Sequence, residues 1–483
     1  MKKLLGSTLA LAMIMPAGAN AEILKNFKMG GQLDIQTTSA NNTKDFATRE
    51  RVVGTANNDR IGHAMTRLIL KMDWDLLDDV HSHVALVKGA AVGGAAPTAG
   101  TSRTYGSAAE DLNTLQTNIT VQEANIKVDK VFGALDMTMG RQFYGEPGDP
   151  IIYFGPRGNY GLTVTAIDMF RADWSSEHMN VIGIAGKTAD GSIVTDGTTA
   201  ATDLRGIVVS CKMHEMVKPT LYVYNQVTHA VGGSGTATGK NTNLWIAGLK
   251  ANIAAGGFSA RVELAKNFGE DRTVAGWHKN YSGTAFYGKA GYKLDIENAA
   301  VVNPWFEFAT GTGDKDGSGA GAANGGSDNK NTEFNAIATS WHPGALYARF
   351  HNNSAAQSTS GLPAASGNVT TSQGLTNRVI WGFGVKATPA ALNKLTTGVQ
   401  YYNVSFHRVA PITINGVAGQ TPSKRIGSEI DVTADWKHSD NVSLKLTAGS
   451  FQPGMYIKNY RKGTANDVIS PATLLAADVQ VKF

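Results

Sequence analysis

The chain has 483 residues, of which 17% are charged, 55 are Gly, 14 are Pro and one is Cys. The charged fraction lies below the usual quarter, and the net charge of +5 falls to +3 without Lys2 and Lys3, which excludes a polybasic nucleic-acid or membrane-surface protein. A single cysteine excludes intrachain disulfides, and no stretch past residue 21 approaches the roughly 18 uninterrupted apolar residues of a membrane-spanning helix.

Met1-Lys2-Lys3 is cationic, Leu4 to Ala17 is mostly apolar, and Ala19-Asn20-Ala21 supplies small residues at the two positions a signal peptidase reads. This order predicts a secretory signal peptide over 1–21, with cleavage specified by Ala19 and Ala21. No Cys sits near the cleavage point, so no lipoprotein is expected.

From Glu22 onward, apolar and polar residues alternate with period 2. Leu68, Leu70, Met72 and Trp74 oppose Arg67, Lys71, Asp73 and Asp75. Phe258, Ala260, Val262 and Leu264 oppose Arg261, Glu263 and Asn267. Val379, Trp381, Phe383 and Val385 oppose Arg378 and Lys386. Ile430, Val432, Ala434 and Trp436 oppose Glu429, Asp431, Thr433 and Asp435, and Val442, Leu444, Leu446 and Ala448 oppose Ser443, Lys445 and Thr447. Strands are expected near 27–38, 63–75, 80–89, 117–129, 134–143, 163–174, 178–188, 203–212, 219–229, 241–252, 256–267, 282–294, 302–312, 376–387, 394–406, 425–437, 441–451 and 474–483. That makes about 18, with roughly 16 or 20 left open by the choice of segment ends. Many run to roughly 10–12 residues, the length a tilted strand needs to cross a bilayer.

The links alternate in length. Leu76 to Asp79, Lys130 to Gly133, Ala254-Ala255 and His438 to Asp440 are short. Long Gly/Ser/Thr/Asn-rich stretches lie near 39–62, 90–116, 144–162, 189–202, 230–240, 268–281, 313–375, 407–424 and 452–473. Short turns on one side and long loops on the other predict an all-β fold: a transmembrane antiparallel β-barrel over 22–483, with short periplasmic turns, long extracellular loops and both termini on the periplasmic side. A mean hydropathy of −0.16 fits, because the lipid face and the polar lumen face cancel in any average. The link 313–375 is too long for an ordinary turn. Apolar residues in Glu333 to Trp341 and Ala345 to His351 suit a constriction or plug as well as a surface loop.

At the C-terminus Ala477, Val479, Val481 and Phe483 alternate with Asp478, Gln480 and Lys482. A period-2 strand ending in Phe resembles the closing strand that barrel-insertion machinery recognises in bacterial outer-membrane proteins. The partners expected are therefore that machinery, through the Phe483 strand, together with outer-membrane lipid, lipopolysaccharide and small hydrophilic solutes.

Alternation assigns an inward set of Arg67, Lys71, Lys127, Arg261, Lys289, Lys293, Arg378, Lys386 and Lys445. Its acidic members are Asp73, Asp75, Glu123, Glu263, Glu307, Glu429, Asp431, Asp435 and Asp478. So many charges on one face need a wet interior, since each would be costly against lipid. Cross-strand pairing that merely solvates the wall is the competing reading for any one of them. The signs are mixed; a basic constriction would favour anionic solutes.

No G-x-S-x-G, H-E-x-x-H or P-loop is present, so no enzyme is expected. His81 and His83 share one face of a strand and are read as a lumen pair rather than metal ligands. Asp314 and Asp316 sit beside Gly317 like the start of a calcium loop, but Gly325 stands where a bidentate Glu is required. No cofactor or metal is expected. Trp74, Trp174, Trp277, Trp341 and Trp436 lie at or near segment ends, and those on strands are read as interfacial girdle residues. Cys211 is expected as a small buried residue on a strand.

Three regions carry a family resemblance. The first joins Met139-Gly140-Arg141-Gln142 to Asp168-Met169-Phe170-Arg171-Ala172-Asp173-Trp174. The second runs from Asn303 to Asp314, and the third from Gly427 to Lys437 and on to Phe451-Gln452-Pro453-Gly454. These resemble alginate-export-type outer-membrane porins. The resemblance implies an 18-stranded single-chain barrel with a charged lumen and marks Gly140, Arg141, Gln142, Asp168 and Arg171. It implies an architecture, not a cargo. The expected function is passive diffusion or export of hydrophilic solutes, with a plugged structural or adhesive surface barrel as the alternative.

Overall fold

The computed structural model describes residues 25–42, 61–88, 119–158, 162–189, 201–229, 241–272, 279–314, 329–341, 343–347, 374–409, 412–414, 417–461 and 469–483. The signal-peptide residues Ala19 and Ala21, Trp277, Asp316 and Gly325 lie outside the described residues.

Eighteen strands form the wall. They are β1 (Lys25–Asn41), β2 (Ile61–Leu77), β3 (Val80–Lys88), β4 (Thr120–Val131), β5 (Leu135–Gln142), β6 (Ile167–Ser175), β7 (Met179–Ala189), β8 (Thr202–Cys211) and β9 (Val217–Thr228). There follow β10 (Thr242–Ala255), β11 (Phe258–Asp271), β12 (Thr284–Tyr292), β13 (Ala300–Gly311), β14 (Arg378–Pro389), β15 (Leu395–Phe406), β16 (Arg425–Lys437), β17 (Val442–Pro453) and β18 (Ala472–Lys482). Each strand pairs antiparallel with the next, and β18 returns to β1 from Gln32–Lys482 to Asn41–Thr473, so the sheet is a closed barrel without edges. At the seam the Gly31 and Phe483 backbones exchange hydrogen bonds of 2.8 and 3.1 Å.

The burial pattern is inverted relative to a water-soluble protein. Leu221, Leu264, Phe306, Phe383, Leu446 and Leu475 are at least half exposed on the outer face, while Glu263, Glu307, Arg378 and Asp431 are at most 2% exposed inside. An apolar exterior around a charged interior is the pattern of a barrel whose outer solvent is lipid. Closure pairs the wall backbone between neighbouring strands all round the barrel, as hydrocarbon requires. No helix among the described residues is long and apolar enough to cross a membrane.

Turns on the periplasmic side are short: Asp78-Asp79 joins β2 to β3, and Gly256-Gly257 joins β10 to β11, with Gly256 at φ +58°. The predicted segment 163–174 shortens to Ile167–Ser175, because Leu162 and Val164 fold inward, Leu162 against Met65 and Val164 against Ile69 and Val87. Cys211 ends β8 half-buried on the outer-facing side rather than buried.

Candidate functional site

The lumen is built by inward residues at every second position of the wall and by two loops that enter from the long-loop side. On β1 and β2, Asp34 accepts from Arg67 Nε at 2.9 Å, and Arg67 Nη1 donates to the carbonyls of Arg157 at 2.7 Å and Leu162 at 3.2 Å. Arg67 thus clamps the loop between β5 and β6 to the wall. The carboxylate of Glu123 on β4 receives the Phe143 N–H at 3.0 Å, and Tyr144 meets Tyr224 hydroxyl to hydroxyl at 3.0 Å. Burial pushes the Tyr144 phenol up, so it stays neutral.

Asp149 is the hub of this first loop. Arg261 of β11 contacts it at 2.8 Å and Lys250 of β10 at 3.5 Å, while its Oδ1 accepts the Ile151 and Ile152 N–H groups. Arg261 also reaches Glu263 at 2.7 Å, and Glu263 accepts from Tyr222 at 2.8 Å. A buried ion cluster of this kind is tolerated only because nearly every oxygen has a donor.

The second loop, between β13 and β14, also folds into the lumen. Ile337 and Ala338 donate to Ile151 O, Tyr153 donates to Ala338 O, and Ser340 Oγ accepts the Gly148 N–H at 2.6 Å. The two loops therefore brace each other. Trp341, in the long link between two predicted strands, is 4% exposed within the lumen and donates Nε1 to Glu307 at 2.6 Å. Its burial follows from the loop's inward path, which single-strand alternation cannot report. Glu429 accepts the N–H groups of Ala345, Leu346 and Tyr347 at 2.6, 2.6 and 2.8 Å, Asp431 accepts from Ala345 at 3.0 Å, and Arg378 Nε donates to Tyr347 at 2.7 Å. Gly344, at φ +78°, passes so close that a Cβ there would lie 2.8 Å from the Glu429 carboxylate.

Towards the short-turn end the inward face opens. Lys71, Asp73, Lys289, Lys386 and Lys445 are exposed there, with Asp435 half-buried. Lys289 pairs with Glu307 at 3.1 Å and lies 4.5 Å from the Trp305 ring centroid. On the opposite wall a recess of about 640 Å³ is lined by Lys28, Asp73, Asp75, His81, His83 and Lys127 among others. His81 bridges Asp75 at 2.5 Å and Asp129 at 3.0 Å, and His83 bridges Asp73 at 2.6 Å and Glu123 at 3.0 Å. Lys127 pairs with Asp129 and Asp136. No group of three metal-ligating side chains forms among the described residues.

Lys293 keeps the parity of Lys289 at the short-turn rim. It lies exposed at a break in the ladder between Tyr292 and Leu294, where its N–H reaches Gly257 O. The residues marked by the family resemblance divide. Gly140, at φ +121°, allows the Ala124 carbonyl to approach where a Cβ would clash at 2.2 Å, and Gln142 is buried against Gly140 O and Met169 O. Arg171 points inward onto Asp173, whereas Arg141 and Asp168 pair at 2.8 Å on the outer face. Alternation missed Asp149 and Tyr347, which lie in loops, and Tyr222 and Tyr224, whose rings share the inward face of β9 but read as apolar beside Leu221 and Val223. The prolines flanking Asp149 were the one local sign of a rigid turn there.

Outside the spanning strands, His407 follows β15 and accepts the Gly313 N–H on Nδ1 at 3.1 Å. Burial, then Arg408 and Lys424, hold its imidazole below the usual histidine range.

The chain matches no family model and no curated protein sequence. Its fold matches solved structures from Pseudomonas aeruginosa. OpdK with vanillate aligns with a TM-score of 0.51 at 10% identity, over 95% of this chain and 99% of that chain. OccK1 (OpdK) gives 0.50 at 10% identity over 95% and 100%, and OccK8 (OprE) gives 0.50 at 10% over 95% and 99%. At such identity the likeness is one of fold: the closed 18-stranded antiparallel barrel. That architecture, with its apolar exterior and its asymmetry of short turns and long loops, belongs to the bacterial outer membrane, and this chain resides there.

Proposed function

We propose that the chain is a non-enzymatic channel for passive diffusion of small hydrophilic solutes, with a preference for anions, across the outer membrane. The observation that carries this reading is the lumen itself. Two mutually braced loops narrow it, and the exposed lysines 289, 386 and 445 line one arc of the opening on the short-turn side. Cations fixed along a narrow wet passage raise the local concentration of anions and lower their entry barrier. The vanillate held by the OpdK structure is a small carboxylate, the class such an arc suits. Membership of the alginate-export-type family is part of the proposal as an architecture, as are lipopolysaccharide contact, recognition of the Phe483 strand at insertion and cleavage of a 1–21 leader.

The depth of the inward loops favours a second reading, in which the lumen is plugged and the barrel is structural or adhesive. Single-channel recording of the refolded protein in a planar bilayer separates the two. Steady open steps with an anion-selective reversal potential support the channel. A folded barrel without conductance overturns it in favour of the plug. Lys289→Glu, Lys386→Glu and Lys445→Glu combined are expected to move the reversal potential towards cations; an unmoved potential removes these lysines from the passage.

A further inference from the structure

Charge on the outer face is concentrated at the long-loop ends of β5 to β9 and of β11. Arg141 of β5 pairs with Asp168 of β6, and Asp168 stands opposite Lys187 of β7. Lys187 reaches Asp203 of β8 at 2.9 Å, and Asp203 reaches His229, just past β9, at 2.8 Å. On β11 Glu270 pairs with Arg272 at 2.6 Å. Ser39, Thr310, Ser405, Gln452 and Thr473 occupy the same level elsewhere, with Lys88 and Arg425 the charged exceptions among the described strand residues.

The acids of this arc are each matched by a base, which leaves two exposed cations, Arg205 of β8 and Lys266 of β11, with no ion pair among the described residues. They flank a polar and aromatic shelf. Arg205 stands opposite Asn225, Asn225 opposite Trp245, and Trp245 opposite Phe268. Asn225 donates to Asn243 at 2.6 Å, and the Trp245 and Phe268 rings stack at 5.8 Å. Charged outer-face residues cannot lie in hydrocarbon, so the shelf sits at the headgroup level of the outer leaflet, where aromatic rings favour one apolar and one wet neighbour. A guanidinium and an ammonium there match phosphate, the half-buried Asn243 carboxamide, braced from beneath by buried Asn225, matches a sugar hydroxyl, and the stacked rings match the first acyl methylenes.

We propose that the outer face of β8–β11 is a docking site for the phosphorylated saccharide headgroup of an outer-leaflet glycolipid, held by Arg205 and Lys266. The site faces away from the lumen and stands whether or not the barrel conducts.

The test uses the full-length refolded barrel in detergent. The probes are a bis-phosphorylated lipid A, its dephosphorylated form and phosphatidylglycerol, with binding read by native mass spectrometry. The wild type is expected to retain the phosphorylated glycolipid over both other lipids. Arg205→Gln with Lys266→Gln is expected to weaken that binding by about tenfold or more. Arg205→Lys with Lys266→Arg should restore most of it, and Lys437→Gln, at the opposite rim, should leave it unchanged. Unweakened binding by the double Gln variant, equal retention of the dephosphorylated lipid or of phosphatidylglycerol, or a change of oligomeric state without lipid loss would overturn the proposal. Unaltered heat-modifiable mobility and conductance of each variant show that the barrel has folded.

Discussion

Glu429 is 1% exposed, and its carboxylate faces three backbone N–H groups of the inward loop. A buried donor left without an acceptor costs about 1–3 kcal/mol, so Glu429→Ala should cost the 343–347 segment several kcal/mol of docking energy. Hydrogen exchange at Leu346 and Tyr347 is expected to accelerate and single-channel conductance to rise, with Glu429→Gln intermediate because it keeps one oxygen. Unchanged exchange in the Ala variant would mean that other contacts hold the loop. His407 supplies a second test at this scale. Its pKa is depressed when docked, so docking is at full strength above the usual histidine value and is lost as pH falls through it, because only the released ring takes up the proton. Protection of the Gly313 amide, taken relative to its intrinsic exchange rate, should therefore fall as pH drops below the ordinary value of about 6.5. A rate that follows only the intrinsic pH dependence of exchange, or the same pH response in His407→Gln, would refute this.

Among the elements, strands were the most legible because their signal is local. A residue two positions away shares its face, so Leu68 to Trp74 and Ile430 to Trp436 announce their lipid side without any knowledge of their neighbours. Boundaries were less legible where tertiary contacts override the pattern, as at Thr163 to Ala166, which look strand-like but serve the inward loop. The loops were legible only in part, since the apolar residues of Glu333 to Trp341 suited an inward constriction as well as a surface loop. Their path depends on Glu429 meeting amides more than 80 positions away and on Asp149 meeting Arg261, and neither contact has a period. Such bracing predicts coupling between loops. Asp149→Ala removes one of the two carboxylates that hold Arg261 most closely, and the Asp149 backbone oxygen lies against Thr339 and Ser340 of the second loop. Loosening should therefore extend to residues 337–341, seen as faster exchange there, while the wall amides of β10 and β11 keep their protection. Faster exchange confined to 143–156 would show that the loops move independently.

For the whole molecule, the decisive contact is the seam, since an open sheet would leave two edges of unpaired backbone in hydrocarbon. Gly31 sits at its periplasmic end, where a Cβ would lie 2.4 Å from the Ile69 carbonyl and 2.7 Å from the Phe483 ring. Only glycine lets β2 and the terminal Phe approach together. Gly31→Val pushes against backbone on one side and a ring on the other, so relief requires Phe483 to leave and its two hydrogen bonds with Gly31 to break. The expected outcome is a lower folded fraction in heat-modifiability assays and faster unfolding. Phe483→Ala combined with Gly31→Val should recover part of the loss, because it removes the ring and leaves only the clash with Ile69. Additive losses in the double variant would mean that the ring is not what Gly31 accommodates, and that closure depends on the ladder from Gln32 to Asn41 alone.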